Sequence, residues 1–296
     1  MHPGDTPRFE AKHSFFIGID SDGTAFDSME IKQKSVFLPV AVQLWNLHAV
    51  QKPFYEIAEF INLYSVHRGV NRFQALAMAL ERLARHPDVI AQRVDLPDYF
   101  ALKTFVLSGR ALSAGSLADY NKALGSPFLS QVVEWSKRSD ERYAQVTRDE
   151  GNPPYPLVRE ALSRAAENAD IMIVSSSSHE ALIQDWGDTH LLPFITLVAG
   201  QEMGNKAAQL KFALQGASRR ERTLMIGDAL GDLDAARANN VMFYPIIPGR
   251  EKQSWELFLN EALHRFFQLT YAGDYEQRLL GEFMTVLRPD EVWLTA

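Results

Sequence analysis

Two regions of the chain alternate short apolar runs with helical patterns. Residues 14–19 form a nearly continuous apolar run that ends in Asp20, the signature of a strand buried on both faces of a parallel sheet. Similar runs cover residues 171–174, 194–198, 223–226 and 241–246. Apolar positions at helical spacing lie between several of them, over 157–168, 179–186, 206–214 and 232–239. Strands that alternate with helices predict right-handed crossovers and a parallel sheet covered on both faces.

Residues 26–152 break this rhythm. Phe73, Leu76, Ala77, Leu80 and Leu83 repeat at helical spacing, and the stretch reads as an all-helical insertion. It returns through Asn152-Pro153-Pro154-Tyr155-Pro156, where three prolines exclude a continuous helix and favour extended backbone. Beyond Pro248-Gly249, the spacing of Trp255, Phe258, Leu259, Ala262 and Phe266 predicts an amphipathic helix, with more helix to about residue 287.

Composition narrows the classes. Of 296 residues, 46% are apolar and 23% charged, which suits a folded domain and removes disordered and fibrous classes. A net charge of -7 argues against a surface for nucleic acid, because phosphate backbones are held by concentrated Lys and Arg. Without cysteine there is no disulfide framework and no thiolate metal site. The first twelve residues are polar and lack the apolar run of a signal peptide, and no stretch reaches the length of a membrane span, so a cytoplasmic location without membrane association is the expectation.

Four features fall at the carboxyl ends of predicted strands or at the helix starts beside them, the edge where open α/β sheets bind ligands. Asp20-Ser21-Asp22-Gly23-Thr24 follows the first strand. Its two carboxylates can be aimed at one small site, Asp20 as nucleophile on phosphorus and Asp22 as acid and then base, while Gly23 lets backbone approach a ligand. A turn with Asx-type hydrogen bonds is the ordinary alternative. Gly227-Asp228 and Asp232 follow the fourth strand and offer hard oxygen ligands suited to Mg²⁺. Asp232 also stands where a helix begins and suits an N-terminal capping role; Asp234 reads as a surface carboxylate. Ser175 opens a run of four serines, a hydroxyl with successive N–H groups that can cradle phosphoryl oxygens or simply cap a helix. Lys206 opens the 206–214 helix and can offset a site's negative charge, or be a surface lysine.

On these residues the chain resembles the haloacid dehalogenase superfamily. Asp20, Asp22, Gly23 and Thr24 match its first motif, Ser175 the second, Lys206 the third, and Gly227, Asp228 and Asp232 the GDxxxD form of the fourth. The continuation through Asp27 and Ser28, with a helical insertion after it, is similar to the phosphoglycolate phosphatase and β-phosphoglucomutase branch. The resemblance implies an α/β fold: a Rossmann-like parallel sheet core (residues 1–25 and 150–250), an inserted all-helical cap domain (26–149) and a helical extension packed on the core (251–296). It implies Mg²⁺ held by Asp20, Asp228 and the carbonyl of Asp22, with Asp232 acting through water or from behind. It also implies a phosphate site formed by Gly23, Thr24, Ser175, the N–H of Ser176 and Lys206. A carboxylate at Asp22 favours phosphoryl transfer over dehalogenation, because an alkoxide leaving group needs an acid and a halide does not.

The implied activity is hydrolysis of a small phosphorylated metabolite through an aspartyl-phosphate. A phosphomutase, or a binding protein on the same core, are the alternatives, and the oligomeric state stays open. Lys206 is followed by Ala207-Ala208-Gln209 rather than the Lys-Pro-x-Pro-Asp of that branch, and the insertion, at roughly 125 residues, is large enough for its own core. Within it, Arg68 and Arg72 flank a Gly-containing turn and are candidates to grip an anionic substrate end, with ordinary surface arginines as the commoner alternative.

Overall fold

The computed structural model describes residues 10–214 and 220–289. The start and end of the chain covered by the signal-peptide and extension readings, residues 1–9 and 290–296, lie outside the described residues. The chain divides into two compact units: one holds the residues up to Ser28 and Asn152–Leu287, the other Met29–Gly151 together with the chain from Arg288.

The first unit is built on a five-stranded, wholly parallel sheet, so the α/β class read from the sequence holds. Its strands are β1 (Phe15–Ile19), β2 (Ala169–Val174), β3 (Leu197–Ala199), β4 (Thr223–Gly227) and β5 (Met242–Pro245), in the order β3-β2-β1-β4-β5. Successive strands build outward from β1 on one side, then the chain crosses back to β4 on the other. The carboxyl end of β1 therefore lies at the topological switch point, where such sheets leave a crevice for a ligand. Register fixes the neighbours: Ile19 stands opposite Ile173 of β2 and Ile226 of β4.

β2 starts two residues earlier than the apolar run because Asp170, although charged, is buried in the strand and accepts the backbone N–H groups of Lys12 and His13 at 2.8 and 2.9 Å. β3 is shorter and later than the run at 194–198, since Leu192–Phe194, with Pro193 near its start, coils into a 3₁₀ turn.

The extension beyond Gly249 forms the helices Glu251–Leu257, Leu263–Phe267 and Asp274–Val286, the first two joined by a wider π-helical turn at Phe258–Ala262. Trp255, Phe258, Phe266 and Tyr271 are buried in the same core as Ile17, Ile19 and Trp186. Glu276 accepts the outward N–H of Phe243 at 3.0 Å and pairs with Arg220, which closes the edge that β5 leaves open. Among the described residues no helix is long and apolar enough to cross a membrane.

The second unit is helical and has its own apolar core, in which Phe37, Trp45, Phe54, Phe73, Phe105 and Trp135 are buried. Its longest helix, Pro127–Glu150, is capped by the Ser126 hydroxyl and starts on a proline, which needs no N–H partner there. Two π-helical stretches, Ile31–Phe37 and Phe60–Tyr64, interrupt the regular spacing that the sequence displays. Arg288 exchanges backbone hydrogen bonds with Tyr64 and Val66, so the chain rejoins this unit directly after Leu287.

Candidate active site

Asp20 is placed by the sheet itself. Its N–H donates to the Ile226 carbonyl at 3.0 Å, which continues the β1–β4 ladder one residue past the strand. The chain then turns sharply: Ala25 and Phe26 both donate to the Ser21 carbonyl, and Gly23 donates to Phe26. Gly23 has φ of 78°, a left-handed conformation that glycine adopts without steric cost. Two buried tryptophans brace this loop, Trp186 by donating to the Ser21 hydroxyl and Trp255, from the extension, by donating to the Thr24 carbonyl, both at 3.0 Å.

The Asp22 carboxylate is held at both oxygens. Ser28 donates to one and Ser177 to the other, the latter at 3.0 Å. The acid–base candidate is thereby fixed to the serine loop after β2. In that loop the Ser175 hydroxyl accepts the N–H of Ser177 at 3.1 Å, which leaves its own proton to donate, while Ser176 is exposed and Ser178 caps the His179–Asp188 helix. Ser175 itself is buried.

On the other side of β1, Asp228 leaves the end of β4 and accepts the Thr24 hydroxyl at 2.6 Å. The Thr24 side chain therefore orients a carboxylate, and only its backbone N–H remains as a candidate for phosphate. Asp232 accepts the N–H of Ala229 with one oxygen and the Lys206 ammonium, at 2.6 Å, with the other. Lys206 also meets Asp20 at 2.9 Å. A side chain at Gly227 would collide with Asp232, since its Cβ would lie 2.4 Å from that of the aspartate, which accounts for the glycine before Asp228. Asp234 points to solvent.

Electrostatics make this cluster costly as it stands. Burial raises the Asp20 carboxyl well above its ordinary range, and Asp232 and Asp228 push it the same way against the Lys206 charge. Asp232 is also raised, first by burial and then by Asp228. Burial would lower Lys206, but the two carboxylates outweigh it and hold the ammonium firmly charged.

Three buried carboxylates, each with an oxygen within 4.8 Å of the others, face one lysine, so with all three ionised two negative charges are uncompensated. A divalent cation fits that deficit and that set of hard oxygen donors. Asp20 and Asp228, at the ends of neighbouring strands, fit the place of its ligands. Asp232 has both of its oxygens engaged and fits the place behind the ligands.

Asp20, Asp228 and Asp232 thus cluster within 4.8 Å, Lys206 pairs with Asp20 and Asp232, and Asp22 is tied to the serine loop through Ser177. Arg68 and Arg72 belong to the helical unit. Arg68 is buried in the helical unit with Nη1 on the Leu63 carbonyl, and Arg72 pairs with Asp140 at 2.7 Å and lies over the Phe37 ring. Sequence reasoning missed Ser177 and Trp255 as supports of the site. Ser177 sat within the quoted serine run but carried no separate signal, and Trp255 read simply as core.

A family model for haloacid dehalogenase-like hydrolases matches residues 17–240, and the chain belongs to that family. No curated protein matches it. Solved structures that resemble it include a predicted phosphoglycolate phosphatase from Haemophilus somnus 129PT, at 14% identity and a TM-score of 0.49 over 79% of this chain and 86% of that one. CbbY from Rhodobacter sphaeroides, solved in complex with phosphate, shares 15% identity with a TM-score of 0.44 over 77% and 85%. A subfamily IA hydrolase from Geobacter sulfurreducens PCA shares 15% identity with a TM-score of 0.40 over 80% and 89%.

Proposed function

We propose that this hydrolase is a Mg²⁺-dependent phosphatase that cleaves a small phosphate monoester through an aspartyl-phosphate on Asp20. The observation that carries the reading is the pair of carboxylates at the end of β1 with opposite surroundings. Asp20 is buried against Lys206, whereas Asp22 is half-buried and held by two serine hydroxyls. Two carboxyl groups whose environments differ this much suit two roles, nucleophile and acid–base.

Asp20 and Asp228 would hold Mg²⁺, which would supply the charge that keeps Asp20 ionised and offsets the phosphoryl oxygens. Asp20 attacks phosphorus while the protonated Asp22 gives its proton to the leaving oxygen; Asp22, now a carboxylate, takes a proton from the water that hydrolyses the acyl phosphate. The Ser175 hydroxyl, the N–H of Ser176 and the Lys206 ammonium bind the phosphoryl oxygens, and Asp232 holds Lys206 in place. The neighbouring Asp20 and Asp232 outweigh burial in keeping Lys206 charged.

Phosphate release from a panel of sugar, organic-acid and nucleotide monophosphates, with Mg²⁺ or EDTA, tests this reading. Release by wild type in Mg²⁺, with at least about a thousandfold loss in Asp20→Asn, is the expected result. Equal release by Asp20→Asn, or release undiminished by EDTA, would refute it.

A further inference from the structure

Gln209 lies one helical turn beyond Lys206, in the stretch where the sequence departs from the branch it resembles, and its side chain is fully buried. Its amide nitrogen is 2.9 Å from each of three backbone carbonyls: Ser175 at the head of the serine loop, Gly200 just past β3, and Gly204 just before the Lys206 helix. The orientation of the amide is dictated by these neighbours, since the reverse placement would set its oxygen against three other oxygens. Two N–H protons serve three acceptors, so one is shared. Gln209 Oε1 is buried and has no hydrogen-bond partner among the described residues. A buried acceptor left unmade is destabilising, which makes this a poor arrangement for stability alone.

What the amide holds together is the phosphate side of the site. The β2–β3 ladder ends where the Ser175 N–H donates to Ala199. Gln209 joins the ends of the two strands by taking both the Ser175 and Gly200 carbonyls. The β3 loop then grips the serine loop: Gln201 N–H donates to the Ser177 carbonyl at 2.9 Å. A Cβ on Gly200 would sit 2.6 Å from His179 N, so the two loops are in contact with no room for a side chain. Ser177 in turn holds Asp22. The third carbonyl, Gly204, belongs to the turn with φ of 92° that launches the Lys206 helix. One side chain therefore ties together the head of the serine loop, the end of β3 and the start of that helix, and the Gln201 backbone bond carries the tie on to Ser177.

We propose that Gln209 is a positioning residue for the phosphate site: its amide, by tying three loop carbonyls together, holds the Ser175–Ser177 loop in the form that receives phosphoryl oxygens. This inference rests on the phosphatase reading for the identity of the ligand, but the clamp itself does not. Lys206 is anchored independently by Asp20 and Asp232, so loss of the amide acts chiefly on the serine loop and on phosphate affinity.

The test uses the full chain as wild type, Gln209→Met, which keeps the volume without donors, and Gln209→Asn, which keeps donors that no longer reach all three carbonyls. Amide hydrogen exchange is read over residues 175–179 and, as a control, over β4, alongside inhibition by inorganic phosphate and the separate kcat and KM. The expected result is faster exchange over 175–179 with β4 unchanged, and KM and the phosphate inhibition constant both weaker by about tenfold or more, with kcat falling less. Gln209→Asn should fall between wild type and Gln209→Met, and serves alone if the methionine variant does not fold.

Unchanged exchange over 175–179 would overturn the clamp. Faster exchange with phosphate inhibition and KM within about twofold of wild type would overturn the positioning role and leave a scaffold residue. Faster exchange in a protein whose wild type neither binds phosphate nor hydrolyses any ester would instead overturn the phosphatase reading, and the positioning role with it.

Discussion

At the scale of single residues, the cluster of Asp20, Asp228 and Asp232 around Lys206 has a measurable cost without its cation. Asp20 and Asp232 have raised carboxyl pKa values in the folded chain, so over the window from the ordinary carboxylate value up to the raised ones the folded state holds protons that the unfolded state has released. The sign follows: stability of the metal-free protein falls as pH rises through that window and stays lowered above it. Thermal melts in EDTA across pH should show this decline, and Mg²⁺ should reverse it at neutral pH. Asp228→Asn removes a carboxylate that raises both groups while leaving an oxygen for the Thr24 hydroxyl. It should raise the metal-free melting temperature by about 2 °C or more and abolish the rise that Mg²⁺ produces. A metal-free variant melting below wild type would contradict the charge count.

At the scale of elements, the strands and their order of residues were legible because a parallel sheet buries both faces and writes apolar runs into the sequence. Asp20, Ser175 and Asp228 follow such runs directly, so their place at the sheet edge could be read without a structure. Three supports could not. Ser177 and Trp255 act through hydrogen bonds to residues 155 and 231 positions away, and Gln209 joins two nearby carbonyls to that of Ser175, 34 positions away; no local pattern encodes partners at those distances. The extension shows the same limit: its periodicity announced helices, but not that Trp255 reaches the carbonyl of Thr24 in the loop after β1. Trp255→Phe keeps most of the buried ring and removes that one donor, leaving a buried carbonyl short of a partner. A loss of about 1–3 kcal/mol in denaturant unfolding is expected, together with lower kcat; unchanged stability would show that the bond contributes nothing.

At the scale of the whole molecule, two cores account for a chain of this length. The sheet unit carries every residue of the Asp20–Lys206–Asp228–Asp232 cluster, and its extension is built into its core. The helical unit has a separate core, and its Arg72, read from sequence as a grip for an anion, is engaged with Asp140. The pattern of arginines beside a glycine turn was visible in the sequence; which acid each would meet was not, because Asp140 is 68 positions away on another helix. Substrate choice is therefore a question for the panel of esters, whereas the class of chemistry rests on Asp20.

The most direct measurement is acid quenching of wild type during turnover of its best ester in Mg²⁺, followed by peptide mass analysis. The account predicts that the peptide containing Asp20, and no other, gains one phosphoryl group, and that Asp20→Asn gains none. Turnover with no phosphorylated peptide on any quenched time scale, or a phosphoryl group carried by a different residue, would contradict covalent catalysis by Asp20.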